Sequence, residues 1–178
     1  MNRISLYTLI LSLATLGLFS CATIPHHANA VHPFNKDKYL GKWYEVARFD
    51  FTFEKNLIHT TAEYSLNKNG TIKVDNKGYD TIQKIWKQSI GKAKFVESDS
   101  IAMLKVSFFG PFYGGYNVIA IDEEYKYALI AGSSLNYLWI LSRETTIPED
   151  VKANYLKIAG DLGYDTSKLL WIAQNKQK

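Results

Sequence analysis

From Gly41 to Arg143 the chain reads as short runs in which apolar and polar positions alternate with a period of two, each run closed by a turn. The clearest case is TAEYSL, NKNG, TIKVDN. Ala62, Tyr64 and Leu66 fall on one face and Thr61, Glu63 and Ser65 on the other; beyond the turn, Ile72 and Val74 alternate with Thr71, Lys73 and Asp75. Successive side chains of a strand point to opposite faces, so the pattern predicts a hairpin with one dry face and one wet one. Further runs at 86–95, 101–108, 116–121, 125–131 and 137–143, with a first strand opening at Gly41, bring the count to about eight, as in a sandwich or an up-and-down barrel. A barrel of about eight strands encloses a space that its own side chains or one small ligand can fill.

The period changes once. Thr146 and Glu149 have the spacing of a capping box, Pro148 falls in the first turn, and Val151, Tyr155, Ile158 and Leu162 recur at near-helical intervals before Gly160 and Gly163 offer stops. This predicts one helix packed outside the barrel, with LLWIAQ adding a short final strand. The expected fold class is all-β: an eight-stranded antiparallel up-and-down barrel with one C-terminal α-helix outside it, and no internal repeat or second domain.

The N-terminus has a different pattern. After Arg3, residues 4–19 are mostly apolar, the length of a secretory h-region and short for a membrane span. The run ends in Leu18-Phe19-Ser20-Cys21, which resembles the lipobox of bacterial lipoproteins, where cleavage before the cysteine accompanies lipidation of its thiol. Ala28-Asn29-Ala30 is an alternative site for ordinary signal peptidase, but it lies well beyond the apolar run. Cys21 is the only cysteine, so an exported chain cannot use it for an internal disulfide, whereas lipidation gives it an anchoring role. The expected division is a signal peptide at 1–20, a lipidated N-terminus and tether at 21–37, and the barrel domain at 38–178. Ala22 rather than Asp after the cysteine resembles enterobacterial lipoproteins sorted to the outer membrane. His26, His27 and His32 fall in the tether with no Cys, Asp or Glu before Asp37, so no metal site is expected.

Charge narrows the partners further. The formal net charge of +4 arises from residues scattered along the chain rather than a basic block, which argues against nucleic acid. No G-x-S-x-G elbow, H-E-x-x-H helix or phosphate loop is present, and paired carboxylates such as Glu45 and Glu63 read as surface residues, so no enzyme and no cofactor are expected.

GKWYE at the first strand, WILSR at the last and one following helix together resemble the lipocalin family. KYLGKWYEVARFD, NKGYD, KVSFFGPFYGGYNVIA and YLWILSR resemble the bacterial outer-membrane lipocalins in particular, with animal apolipoprotein D a more distant likeness; IDEEYKY departs from the usual middle motif. The resemblance implies that Trp43 lies across a closed barrel base, that Gly41 permits the tight entry, and that Arg143 packs over the indole. A meander that starts at the closed base places alternate connections at the open mouth. These carry Phe51, Phe53, Tyr79, Trp86, Phe109, Phe112 and Tyr113, while NKNG, VESDS and DEE at the base are polar. Such asymmetry is expected where a mouth meets lipid or a partner.

Alternation together with the resemblance points Tyr64, Ile72, Val74, Asn76, Tyr116, Val118, Tyr137 and Trp139 inward as ligand-binding positions. The function so implied is a lipid-anchored, periplasm-facing outer-membrane protein of a Gram-negative bacterium. It would bind, store or transport lysophospholipids or fatty acids such as palmitate for membrane maintenance, with Lys55, His59, Lys84 and Lys87 near the headgroup. Alternatives are a structural lipoprotein that docks a partner through the aromatic mouth, and a lipid-modifying enzyme. A homodimer through the mouth is a candidate assembly.

Overall fold

In the computed structural model, which describes residues 24–174, eight strands form a closed antiparallel ring. They are β1 (Gly41–Arg48), β2 (Leu57–Leu66), β3 (Ile72–Asp80), β4 (Ile85–Phe95), β5 (Met103–Ser107), β6 (Gly114–Ile121), β7 (Tyr127–Ala131) and β8 (Leu138–Ser142). Each pairs with its neighbour in sequence, and β1 pairs with both β2 and β8 to close the ring, which removes the sheet edges there. The expected barrel is therefore present. The signal-like run and Cys21 lie outside the described residues.

A bulge shapes the first strand. The register of β1 against β8 shifts between Glu45 and Ala47, so Val46 and Ala47 both join the core under the helix. Beyond the bulge β1 leaves β2 and pairs with the short β9 (Leu170–Trp171). The seam between β1 and β2 is then bridged by Gln174, whose Nε2 donates to the carbonyls of Glu45 at 2.7 Å and Thr60 at 3.0 Å.

The helix lies where the periodicity puts it, outside β7, β8 and β1. In α2 (Glu149–Asp161), Tyr155 and Ala159 are buried against Val46, Leu129 and Ile140. The expected Thr146–Glu149 capping box does not form. Pro148 is the N-cap in extended geometry with no side-chain cap, and the Thr146 carbonyl instead accepts from Ser142 Oγ at 2.9 Å. A proline that lacks an N–H loses nothing at this position.

The base is closed by one stacked assembly. A short helix, α1 (Lys36–Tyr39), is capped by Asn35 and leads into Gly41, whose φ of +93° is open to glycine at no steric cost. This turn sends Trp43 inward, fully buried, where its Nε1 donates to the Tyr39 carbonyl at 2.8 Å. Arg143 lies over the indole with Cζ at 3.8 Å from the ring centroid. Its Nη1 donates to the Lys42 carbonyl at 2.6 Å, and Nη2 donates to those of Lys38 at 2.8 Å, Tyr39 at 3.1 Å and Leu40 at 2.9 Å. One side chain thus satisfies carbonyls of the α1–β1 turn and tethers the last strand to the first. Packing also extends upstream of α1: Val31 accepts from Ala102 N and donates to the Val118 carbonyl, and Phe34 is buried.

Arg143→Ala removes the cation–π contact and this fan of charged hydrogen bonds, and is expected to destabilise the chain by about 2–3 kcal/mol. Arg143→Lys restores the charge without the fork and should recover less than half of the loss. Urea unfolding of the two variants beside the parent checks both.

Candidate ligand-binding site

Inside the barrel a cavity of about 660 Å³ runs from the Trp43 end toward the opposite mouth, a volume within the range of small-molecule pockets. Tyr39, Tyr64 and Tyr116 form its floor, with the Tyr39 ring tilted against Trp43 at 5.0 Å and 5.4 Å from Tyr64. Aliphatic walls come from Ile72 and Val74 on β3, Ala93 on β4, and Leu104 and Val106 on β5. Gly91 faces the same interior, and its missing side chain leaves room for Phe108, whose Cδ1 would lie 2.8 Å from a β-carbon there. Phe53, Phe109, Phe112, Tyr137 and Trp139 line the way out.

Seven of the eight inward positions expected from the sequence line this cavity: Tyr64, Ile72, Val74, Asn76, Tyr116, Tyr137 and Trp139. Val118 does not. It is fully buried two residues nearer the base, in the core with Phe34 and Tyr125, because β6 descends below the cavity floor there.

The mouth residues divide in the same way. Phe53, Trp86, Phe109 and Phe112 are 65%, 60%, 83% and 78% exposed, while Tyr79 and Tyr113 are half-buried, Tyr113 beneath Lys94 and Lys105. Phe51 is no part of the exposed rim: it is buried, with ring centroids 4.6 Å from Trp139 and 5.3 Å from Tyr137. Of the basic residues expected near a headgroup, Lys87 is paired with Asp80 at 2.6 Å.

A cavity whose base is sealed by a tryptophan of the first strand and an arginine just after the eighth marks a binding fold, and the profile described as Lipocalin-like domain matches residues 34–174. The chain is a lipocalin. It is 51% identical over 155 residues to the outer membrane lipoprotein Blc of Escherichia coli strain K12, covering 87% of this chain and 88% of that one. To apolipoprotein D of Rattus norvegicus it is 36% identical over 171 residues, covering 84% and 86%. Insecticyanin from the tobacco hornworm Manduca sexta superposes with a TM-score of 0.68 at 19% identity, over 86% of this chain and 88% of that one, a likeness of fold.

This lipocalin also holds a buried ionic cluster that the sequence reading missed. Glu45, expected at the surface, is buried on the cavity wall. The β1 bulge lets Arg48 reach back to it, with Nη1 at 2.7 Å from Oε1, while Nη2 donates to the carbonyls of Glu54 and Leu57. Thr60 Oγ1 donates to the same Glu45 oxygen at 3.1 Å, and Trp139 Nε1 donates to Glu54 Oε2 at 3.2 Å. The guanidinium Nε also lies 3.6 Å from Glu54 Oε2, an ion pair too long for a hydrogen bond, so Arg48 sits between two buried carboxyls. Burial raises the Glu45 pKa against the pull of Arg48; burial and then the charge of Glu45 push Glu54 up to about 8. Glu54 is the member of the pair that holds a proton near neutrality.

The unfolded chain releases that proton in the ordinary carboxylate range, whereas the folded chain keeps it to about 8, so stability falls as pH rises through this window. Glu54→Gln keeps an acceptor for Trp139 and cannot ionise. It is expected to flatten the decline and to exceed the parent in stability above the window by about 2 kcal/mol. Denaturant unfolding across pH 5 to 9 checks this, and an unchanged slope would assign the decline to other groups.

Proposed function

We propose that this chain is a lipid-anchored, periplasm-facing outer-membrane lipocalin that binds lysophospholipids and fatty acids and stores or carries them for membrane maintenance. The observation that carries this reading is the enclosed cavity of about 660 Å³, aliphatic along its walls and opening through exposed Phe53, Phe109 and Phe112. An acyl chain of roughly a dozen methylenes buried there gains about 10 kcal/mol before the costs of association. Micromolar affinity needs about 8 kcal/mol, so the chain alone can supply most of it. The Gram-negative outer membrane lipoprotein among its relatives, together with the lipobox ending at Cys21, supports the location. The exposed aromatic rim suits contact with a lipid surface. A binder rather than an enzyme is favoured because Glu45 and Glu54 are occupied with Arg48, Thr60 and Trp139.

Titration of the mature chain without its acyl groups, using lysophosphatidylethanolamine and hexadecanoate with tryptophan fluorescence and native mass spectrometry, is expected to give saturable binding of one chain per barrel. Ala93→Phe, which fills the aliphatic wall, should weaken both ligands about tenfold or more while circular dichroism stays that of the parent. Absence of saturable binding by a folded, lipid-free parent would contradict the reading.

Self-association has its own observation. Residues 85–91 of β4 take ladder partners only from β3 among the described residues, leaving one strand edge open beside exposed Ile85, Trp86 and Ile90. Open apolar edges pair with like edges. Sedimentation of the same chain is expected to show a dimer that Ile90→Lys dissociates; a monomer for the parent at the highest attainable concentration would remove this reading.

A further inference from the structure

The cavity floor contains one more hydrogen-bond donor than the protein uses. Tyr116 Oη lies 2.6 Å from Tyr39 Oη and 2.8 Å from Tyr64 Oη, so the hydroxyls form a chain of three joined by two hydrogen bonds. Each hydroxyl brings one proton, and two bonds consume two of them whichever way they point. The third proton has no acceptor among the described residues. Burial pushes the pKa of all three phenols up, so none sheds its proton to resolve the mismatch. All three residues line the cavity, Tyr39 and Tyr64 at 3% and 6% exposed and Tyr116 half-buried, so the surplus faces the cavity interior. The side-chain oxygen of Asn76, higher on the same wall, is likewise buried without a hydrogen-bond partner. A container shaped only for hydrocarbon would have neither, because an unmet polar group lining an apolar cavity opposes folding.

We infer that the floor of this barrel is a polar subsite for a neutral oxygen at the buried end of the ligand: a hydroxyl or carbonyl at or near the far end of an acyl chain that enters tail first. The spare tyrosine proton is donated to that oxygen. Where the ligand group is a hydroxyl, its own proton goes to a tyrosine oxygen or to Asn76. A carboxylate fits the floor poorly. It would give up its hydration for a single neutral donor, while the Arg143 guanidinium is engaged by backbone carbonyls and Arg48 by Glu45. This subsite rests on the acyl-chain reading above and narrows it to chains oxygenated at the distal end.

The test uses paired lysophosphatidylethanolamines that share one headgroup, which holds the orientation, and carry either a plain acyl chain or its ω-hydroxy counterpart at 12, 14 and 16 carbons. Without a donor at the floor, the ω-hydroxyl is stripped of water for nothing and binds at least about tenfold more weakly than the plain chain. With the donor, the ω-hydroxy chain of matching length is expected to bind the mature protein as tightly as the plain chain or tighter. The Tyr39→Phe/Tyr64→Phe/Tyr116→Phe variant should lower this relative affinity about tenfold or more. Tyr64→Phe alone should leave it intact, because two linked hydroxyls still have one proton to spare, an outcome that general loosening of the floor would not produce. A methyl-ketone probe, with the carbonyl one carbon short of the chain end, needs no variant: its carbonyl stretch in the complex should move to lower frequency than in hexane. Plain chains that bind while ω-hydroxy chains are about tenfold weaker at every length, or an unshifted ketone band, would overturn the polar subsite and leave the container standing. Failure of every chain to bind saturably would instead remove the container, and the subsite with it.

Discussion

Arg143 on Trp43 is the contact from which the rest of this barrel is built. A single guanidinium from the end of the last strand covers the indole from the first and gathers the carbonyls that α1 and the turn into β1 leave unpaired. Pairing β1 with both β2 and β8 closes the ring, but the barrel still has two ends, and an end can be sealed only by side chains that converge from distant parts of the chain. The seal also fixes the site. Trp43 Nε1 holds the Tyr39 carbonyl, the Tyr39 ring packs against Trp43, and the Tyr39 hydroxyl engages Tyr116, so the cavity floor inherits its geometry from the plug beneath it.

The two ends of the cavity are electrically unlike. At the floor the polar groups are neutral donors and acceptors, in contact with one another and kept protonated by burial. Higher up, Arg48 serves both Glu45 and Glu54, at the place where the bulge in β1 parts the strand from β2 and the C-terminal segment fills the seam. Buried charge contributes little net stability, but removing one partner is costly. The cluster therefore serves best as a fixed brace for the β1–β2 connection, which carries Phe51 and Phe53 to the mouth.

Much of the architecture was legible in the sequence because period-two alternation is a direct imprint of a sheet with one buried face. The hairpin around Tyr64 and Ile72 and the meander order follow from it, and the one change to a near-helical period marks the outer helix. The same signal fails where the backbone breaks its own period. Alternation from Trp43 places Glu45 inside, against the surface position its charge suggests, and the bulge beyond it brings Arg48 to the same side, which no composition rule marks in advance. Val118 shows a second limit: alternation tells inside from outside but not cavity from core, which depends on depth along the barrel. Tyr39 and Phe34 were missed because they lie before the first strand and enter the floor from helix and loop, where strand periodicity has no bearing. Phe51 reads as a rim aromatic, yet Trp139 and Tyr137 offer it a buried stacking site.

The proposed role requires the interior of this lipocalin to receive an acyl chain. A crystal structure with a lysophospholipid brominated at the chain terminus tests it most directly, because the bromine's anomalous signal locates the tail without interpretation of weak density. One strong peak is expected inside the barrel, between Tyr116 and the aliphatic wall of Ile72 and Val74, with the headgroup among Phe53, Phe109 and Phe112. A peak confined to the outer rim, over an interior closed by its own side chains, would contradict it.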